Sequence, residues 1–279
     1  MFKSEAFRSD RGLGKVALAA FGLGVFMTLH VSLLIYTKCV ALMDPSFDAI
    51  ASSRWQCLEQ WSWYALALGF FHLMEFMMTA AYRPTNVSYD ANSTGRYVAN
   101  TSFVVIAAFL LNHSREYHLA VLLSCVEFWL EFYFVPMWKL HSFVRPVGMA
   151  FVIGGQSFRV AAMSTAANNF SHRIEYFKRK EHRLVTHGVY RFIRHPSYLG
   201  WFWWIVGSQI LLANPVCALG YTLVAWSFFH DRIPYEEQLL LGFFPNEYPA
   251  YKARTFSGIP FTVMNYFTCY GDRERRNTD

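Results

Sequence analysis

From residue 15 to residue 230 this chain keeps returning to apolar runs of bilayer length, and that repetition limits its fold more than any other property. Runs at about residues 15–43, 61–82, 117–138 and 146–170 each reach the roughly 20 residues that a helix needs to cross a hydrocarbon core. Two shorter runs, 199–213 and 215–230, are divided by Asn214-Pro215 and read as a tight helical hairpin. The run 98–112 is too short to cross on its own terms and reads as a re-entrant piece. Composition agrees: 54% hydrophobic and 16% charged over 279 residues is more apolar material than one soluble core uses. The expectation is an all-α polytopic integral membrane protein with six to eight transmembrane helices. It forms one domain, 1–279, with an N-terminal helical bundle over 1–170 and a more polar C-terminal region over 171–279.

The net charge of +6 is concentrated in loops and tails: Lys3, Arg8, Arg11 and Lys15, then Arg173 to Arg194, then Lys252 to Arg276. The positive-inside rule turns all three toward the cytosol. Both termini then share one side, so the span count is even. Six spans result if 98–112 stays within one leaflet, and eight if it crosses and the long first run folds back on itself. The loop 44–60 carries little positive charge and is expected to be luminal. Sequons at Asn86, Asn92 and Asn100 are accepted only in the lumen, which conflicts with the six-span arrangement. The basic residues flank apolar helices and form no groove-sized face, so a nucleic-acid partner is excluded. The five cysteines have neither C-x-x-C spacing nor a histidine partner pattern, so no disulfide framework and no metal site is expected. The first run follows a basic N-terminus without a small-residue cleavage site and reads as an uncleaved anchor.

Ionisable residues at membrane depth, Glu75, Glu127, Glu131 and Arg159, must face a protein interior or a cavity. Mutual pairing, Arg159 with a glutamate, competes there with a ligand role. Polar chemistry is densest at His182 to Trp201, HRLVTHGVYRFIRHPSYLGW, which runs straight into an apolar helix. Pro196 suits the first turn of that helix, whose free backbone N–H groups would face the turn and suit a carboxylate or phosphate. After the hairpin, Leu239, Leu240, Phe243 and Phe244 lie opposite Glu236 and Glu237, as in an interfacial amphipathic helix. Arg232 and Glu236 share a face if Pro234 lies in that helix's first turn. They either bridge each other or turn together toward the His182–Tyr198 segment.

The combination HRLVTHGVYRFIRHPSYLGWFWW, FFHDRIPYEEQLLLGFF and EYPAYKAR resembles the isoprenylcysteine carboxyl methyltransferase family, with further similarity in FHLMEF and LLNHSREY. The arrangement is specific taken together, whereas RHP-x-Y alone is shared with phospholipid methyltransferases and membrane sterol reductases. The resemblance implies an S-adenosylmethionine-dependent enzyme, releasing S-adenosylhomocysteine. Its substrates would be prenylated CAAX proteins, Ras-type GTPases among them, with a free C-terminal prenylcysteine. It implies a multi-pass endoplasmic-reticulum membrane protein in contact with lipid, with the catalytic region facing the cytosol. By the same resemblance His182, Arg183, Leu184, Val185, Tyr190, His195, Pro196, Ser197, Tyr198 and Glu236 bind the cofactor, together with Glu175, which stands where vertebrate relatives have Gln. Arg232 is implied as the catalytic residue that meets the substrate carboxylate. Against the family pattern the N-terminal part is shorter by about one helical hairpin.

The residues suit that chemistry independently of the resemblance. A terminal carboxyl with an ordinary pKa near 3.5 is already a nucleophile at neutral pH and needs no general base. Arg232 can hold it through a planar fork, and Tyr190 or Trp201 could face a sulfonium. A prenyl chain, at about 0.8 kcal/mol per buried CH₂, prefers to arrive through lipid. A phospholipid N-methyltransferase would need a deprotonated amine and no carboxylate clamp. An NADPH-dependent sterol reductase would want more basic residues at the pocket. A transporter or scaffold leaves the clustered turn without a purpose.

Overall fold

The computed structural model describes residues 13–43, 49–82, 115–172, 174–260 and 262. Among the described residues seven α-helices follow one another: α1 Leu13–Met43, α2 Ala49–Tyr82, α3 Arg115–Phe134, α4 Val144–Ala166, α5 Pro196–Leu211, α6 Pro215–Phe243 and α7 Tyr248–Ala253. No strand occurs among the described residues; the one extended feature is an isolated parallel bridge between Ile193 and Phe256. Gly14–Val40, Ser52–Tyr82 and Arg115–Phe134 are long and apolar enough to cross a membrane. The run 98–112 and the sequons Asn86, Asn92 and Asn100 lie outside the described residues.

Three expectations change. α1 is one continuous helix of 31 residues, so the fold-back invoked for eight spans does not occur within it. The polar segment expected as a loop over 44–60 is helical from Ala49 onward. Polar residues there find partners that lower the cost of burying them: Glu59 accepts from Lys38 at 2.8 Å and Arg145 at 3.3 Å, and Gln60 Nε2 donates to the Leu211 carbonyl, although Gln60 Oε1 has no partner among the described residues. α6 runs unbroken to Phe243 with Pro234 in its interior, not in a first turn. There the proline removes the bond that the His230 carbonyl would have accepted. Ile233, fully buried, and Glu237, 2% exposed, anchor the helix on either side of it.

Two compact units make up the chain. One comprises Met1–Gln156 with Trp203–Tyr221, the other Ser157–Phe202 with Thr222–Asp279. In the first, α1 packs along α2, and α4 meets α5 backbone to backbone. A Cβ on Gly148 would stand 2.3 Å from the Leu211 nitrogen, and one on Gly207 would stand 2.5 Å from the Phe151 Cβ. Small residues are what permit helices to touch in this way. The expected hairpin at Asn214-Pro215 is present. Lys139, 2% exposed, holds it by donating to Glu131 at 2.6 Å, to the Leu212 carbonyl at 3.0 Å and to Asn214 Oδ1 at 3.0 Å. The Glu127 carboxylate caps the start of α6, accepting from the backbone N–H groups of Val216 and Cys217 at 2.7 Å each. Thus Glu131 pairs with Lys139 and Glu127 with a helix end, while Arg159 donates to Ser197 Oγ at 3.0 Å.

Candidate active site

In the second unit, the turn before α5 is held from two directions. Gly188, at φ 57°, opens a 3-10 turn over Gly188–Arg191, and a Cβ there would also meet Thr165 Cγ2 at 2.8 Å. No other residue takes up that conformation against such a neighbour without strain. The chain after α7 then pairs with the turn. Phe256 N–H donates to the Phe192 carbonyl at 3.0 Å, Arg194 N–H to Phe256 at 2.7 Å, and His195 N–H to Ser257 at 3.1 Å. Pro196 takes the first position of α5, as its fixed φ and missing N–H favour.

This strap and turn, with the C-terminal half of α6 and with α7, border a partly open cleft whose empty space, open solvent included, is about 730 Å³. Of the residues expected to bind a cofactor, His182, Arg183, Leu184, Val185, Tyr190, His195, Ser197, Tyr198 and Glu236 line it. Pro196 and Glu175 do not; the former opens the helix, and the latter pairs with Arg179 at 3.5 Å. Of the two aromatics considered for a sulfonium, Tyr190 is on the cavity wall, whereas Trp201 packs edge-on against Phe229 at 5.6 Å.

Arg232 is one residue removed from the cavity. Its Nε donates to the Tyr198 hydroxyl at 2.9 Å, and that hydroxyl donates in turn to Glu236 Oε2 at 2.6 Å. The direct bridge is therefore not formed; both side chains turn toward the His182–Tyr198 segment, as in the alternative expectation, and the Tyr198 phenol stands between the two charges. Nη2 of Arg232 donates to the His172 carbonyl at 3.0 Å, and the guanidinium lies 5.5 Å from the Tyr198 and Phe228 ring centres. The His195 ring stacks on Tyr198 with centroids 5.4 Å apart and planes 2° from parallel.

The amphipathic assignment fails at one residue. The buried face of α6 carries Ala225, Phe229, Ile233 and Glu237, so Glu237 is on the inner side and not on a polar outer face. Its carboxylate accepts from Arg194 Nε at 2.8 Å, Lys252 Nζ at 2.6 Å and His195 Nε2 at 3.4 Å. Two cations and a third donor make burial of that charge tolerable. Arg194 also donates to the carbonyls of Lys252 and Thr255, tying the turn to α7 and the strap.

Sequence reasoning missed Arg194, Leu240, Phe244, Tyr248 and Tyr251 on the cavity wall. Phe244, Tyr248 and Tyr251 form a buried aromatic cluster with Leu184 and Leu240 packed against it, giving the cavity wall an apolar part. The spacing of Tyr248 and Tyr251 on one helical face was the available signal. Tyr251 donates to the Tyr190 carbonyl at 2.7 Å, whereas the fully buried Tyr248 hydroxyl has no partner among the described residues. Burial pushes Tyr251 up to about 12, against the pull of Arg194 and Arg254. Burial likewise raises Tyr190 and Tyr248, reinforced by Glu236 in the first and Glu237 in the second. All three phenols are therefore neutral donors near pH 7.

Comparison with known proteins meets this geometry from outside. Residues 147–242 match the isoprenylcysteine carboxyl methyltransferase (ICMT) family model. The protein-S-isoprenylcysteine O-methyltransferase of Xenopus laevis is 41% identical over 213 residues, 76% of this chain and 67% of that protein. The human protein of that name is 40% identical, with 76% and 68% covered. Protein-S-isoprenylcysteine O-methyltransferase B of Arabidopsis thaliana is 37% identical over 196 residues, 70% of this chain and 90% of its own length. A solved structure of the eukaryotic intramembrane Ras methyltransferase, isoprenylcysteine carboxyl methyltransferase, superposes with a TM-score of 0.67 at 30% identity, covering 92% of this chain and 95% of that one. The matched segment holds the turn, the start of α5 and the Arg232–Tyr198–Glu236 chain, and the identity extends well beyond it. On sequence and fold together, the chain belongs to the isoprenylcysteine carboxyl methyltransferase family.

Proposed function

We propose that this protein uses S-adenosylmethionine to methyl-esterify the C-terminal carboxylate of prenylcysteine on CAAX-processed proteins, Ras-type GTPases among them. The observation that carries this reading is the cationic Arg232 linked through one hydroxyl to a carboxylate on the cavity wall. An amine substrate would gain nothing from that guanidinium, whereas a carboxylate gains a planar fork of donors.

The residues present fit the cofactor. Glu236 Oε1 makes no hydrogen bond among the described residues, Tyr248 offers an unpaired hydroxyl, and the Leu184–Phe244 part of the wall suits a flat apolar ring. His182, Arg183, Leu184, Val185, Tyr190, His195, Ser197, Tyr198 and Glu236 would hold it, with Pro196 presenting the start of α5, whereas Glu175, paired with Arg179, is left out. When bound, it supplies an electrophilic methyl group on a sulfonium and leaves as S-adenosylhomocysteine. Arg232 orients the substrate carboxylate. No side chain has to take a proton, because that carboxylate is ionised before it arrives. Phe170, Leu240 and Phe244 exclude water from the cavity wall, which strengthens each charge contact within.

We place the chain as one multi-pass domain in the endoplasmic-reticulum membrane, with the cavity on the cytosolic side and the prenyl chain arriving through lipid. The apolar helices and the basic loop that flanks the cavity support that arrangement. The test is thermal unfolding of the detergent-purified protein with S-adenosylhomocysteine and, separately, NADPH. S-adenosylhomocysteine at 100 times its Kd should stabilise by about 2.7 kcal/mol. Stabilisation by NADPH alone, or by neither, overturns the methyltransferase reading.

A further inference from the structure

Resting on the cofactor reading above, the geometry points to Glu237 as a positioning residue: it fixes the proton of His195 on Nε2, so that Nδ1 and Glu236 present two acceptors to the ammonium group of the methyl donor. The starting observation is that His195, 7% exposed, lies between two carboxylates. Nε2 is 3.4 Å from Glu237 Oε1, and Nδ1 is 3.9 Å from Glu236 Oε2. Glu237 is already matched by the charges of Arg194 and Lys252 at 2.8 and 2.6 Å. It has no need of a third cation, so a neutral imidazole donating from Nε2 satisfies the contact. Nδ1 is then an acceptor, 3.9 Å from Glu236 Oε2.

Two acceptors 3.9 Å apart cannot bond to each other, and both border the cavity. What satisfies both is a single nitrogen carrying several protons and a positive charge. The ammonium of the cofactor's amino-acid end has that chemistry, whereas its sulfonium has no N–H to give. Stacking on Tyr198 at 5.4 Å prevents the ring from rotating away, and the Tyr198 hydroxyl holds Glu236 from the other side. Glu237 touches neither reactant; it acts through His195.

Titration calorimetry on the full-length protein in detergent tests this with two ligands: S-adenosylhomocysteine and its des-amino analogue carrying mercaptobutyrate in place of homocysteine. The wild type should prefer the ammonium-bearing ligand by about tenfold or more, the worth of a charge-assisted hydrogen bond. Glu237→Gln should reduce that preference several-fold while leaving the des-amino affinity unchanged, because the amide can also donate and release the tautomer. His195→Phe keeps the stacked ring and should abolish the preference. A merely structural Glu237 would weaken both ligands equally, and an unaltered ratio in either variant overturns the inference. Nitrogen NMR of histidine-labelled wild type, with His195 identified by its loss in His195→Phe, reads the proton directly. A neutral ring protonated on Nε2 is expected; protonation on Nδ1 overturns the inference even if Glu237→Gln does not fold. Failure of the wild type to bind S-adenosylhomocysteine would instead refute the cofactor reading itself.

Discussion

Arg232→Lys separates a substrate clamp from a structural cation. The guanidinium spends Nε on Tyr198 and one Nη2 hydrogen on His172. Of its five N–H donors, both on Nη1 and one on Nη2 are then available to an incoming carboxylate. A lysine ammonium has three hydrogens on one nitrogen, so meeting the carboxylate means abandoning Tyr198, His172 or the second carboxylate oxygen. Losing one charge-assisted hydrogen bond costs about 1.5–3 kcal/mol, which is roughly a 10- to 150-fold fall in kcat/KM. The assay is transfer of a tritiated methyl group to a farnesylated cysteine analogue, paired with the thermal shift produced by S-adenosylhomocysteine. Arg232 does not line the cavity, and Glu236 keeps its bond from Tyr198, so that shift should persist. Turnover within about twofold of wild type would refute the clamp. Loss of the thermal shift along with turnover would make Arg232 a support of the cavity.

Tyr248→Phe removes a buried hydroxyl that lacks a partner among the described residues, so the ligand-free protein should unfold at the same temperature or higher, by up to about 1–3 kcal/mol. A midpoint several degrees lower would show that the hydroxyl is bonded within the protein. Lys139→Met leaves Glu131 and the Leu212 carbonyl without their shared donor and should destabilise by about 3–5 kcal/mol. The double change Lys139→Met with Glu131→Gln should recover part of that loss, and equal stability of single and double variants would remove the coupling.

The parts of this molecule that the sequence made legible are those whose cause is local. Asn214-Pro215 announces a hairpin because proline cannot continue the preceding helix, and Pro196 announces a helix start because its φ is already suitable. The same local rule misleads at Pro234. There one missing hydrogen bond is outweighed by neighbours buried on both sides, Ile233 and Glu237, and the helix continues. Glu237 itself was assigned to a polar face because a carboxylate in a helix normally seeks water. Its partners Arg194 and Lys252 come from the turn and from α7, and no periodicity within α6 can reveal them. Tyr248 and Tyr251 were overlooked for a related reason: their spacing puts them on one helical face, but nothing local says which cavity that face will meet.

The placement of Tyr198 explains why Arg232 and Glu236 can be four residues apart on one helix and still do separate work. Left to themselves, such a pair would form an i, i+4 salt bridge, and the guanidinium would spend its fork on Glu236. The phenol intervenes by accepting from Arg232 Nε and donating to Glu236 Oε2. Each ion is thereby hydrogen-bonded without neutralising the other at contact distance. That leaves Glu236 Oε1 and Arg232 Nη1 outside the pair, which is what the proposed cofactor and carboxylate contacts require. A reaction that joins an anion to a cation loses charge on the way to its transition state, so the site must place both charges without burying them in permanent pairs. A neutral side chain with one donor and one acceptor, set at the start of α5 by Pro196 and stacked on His195, meets that requirement.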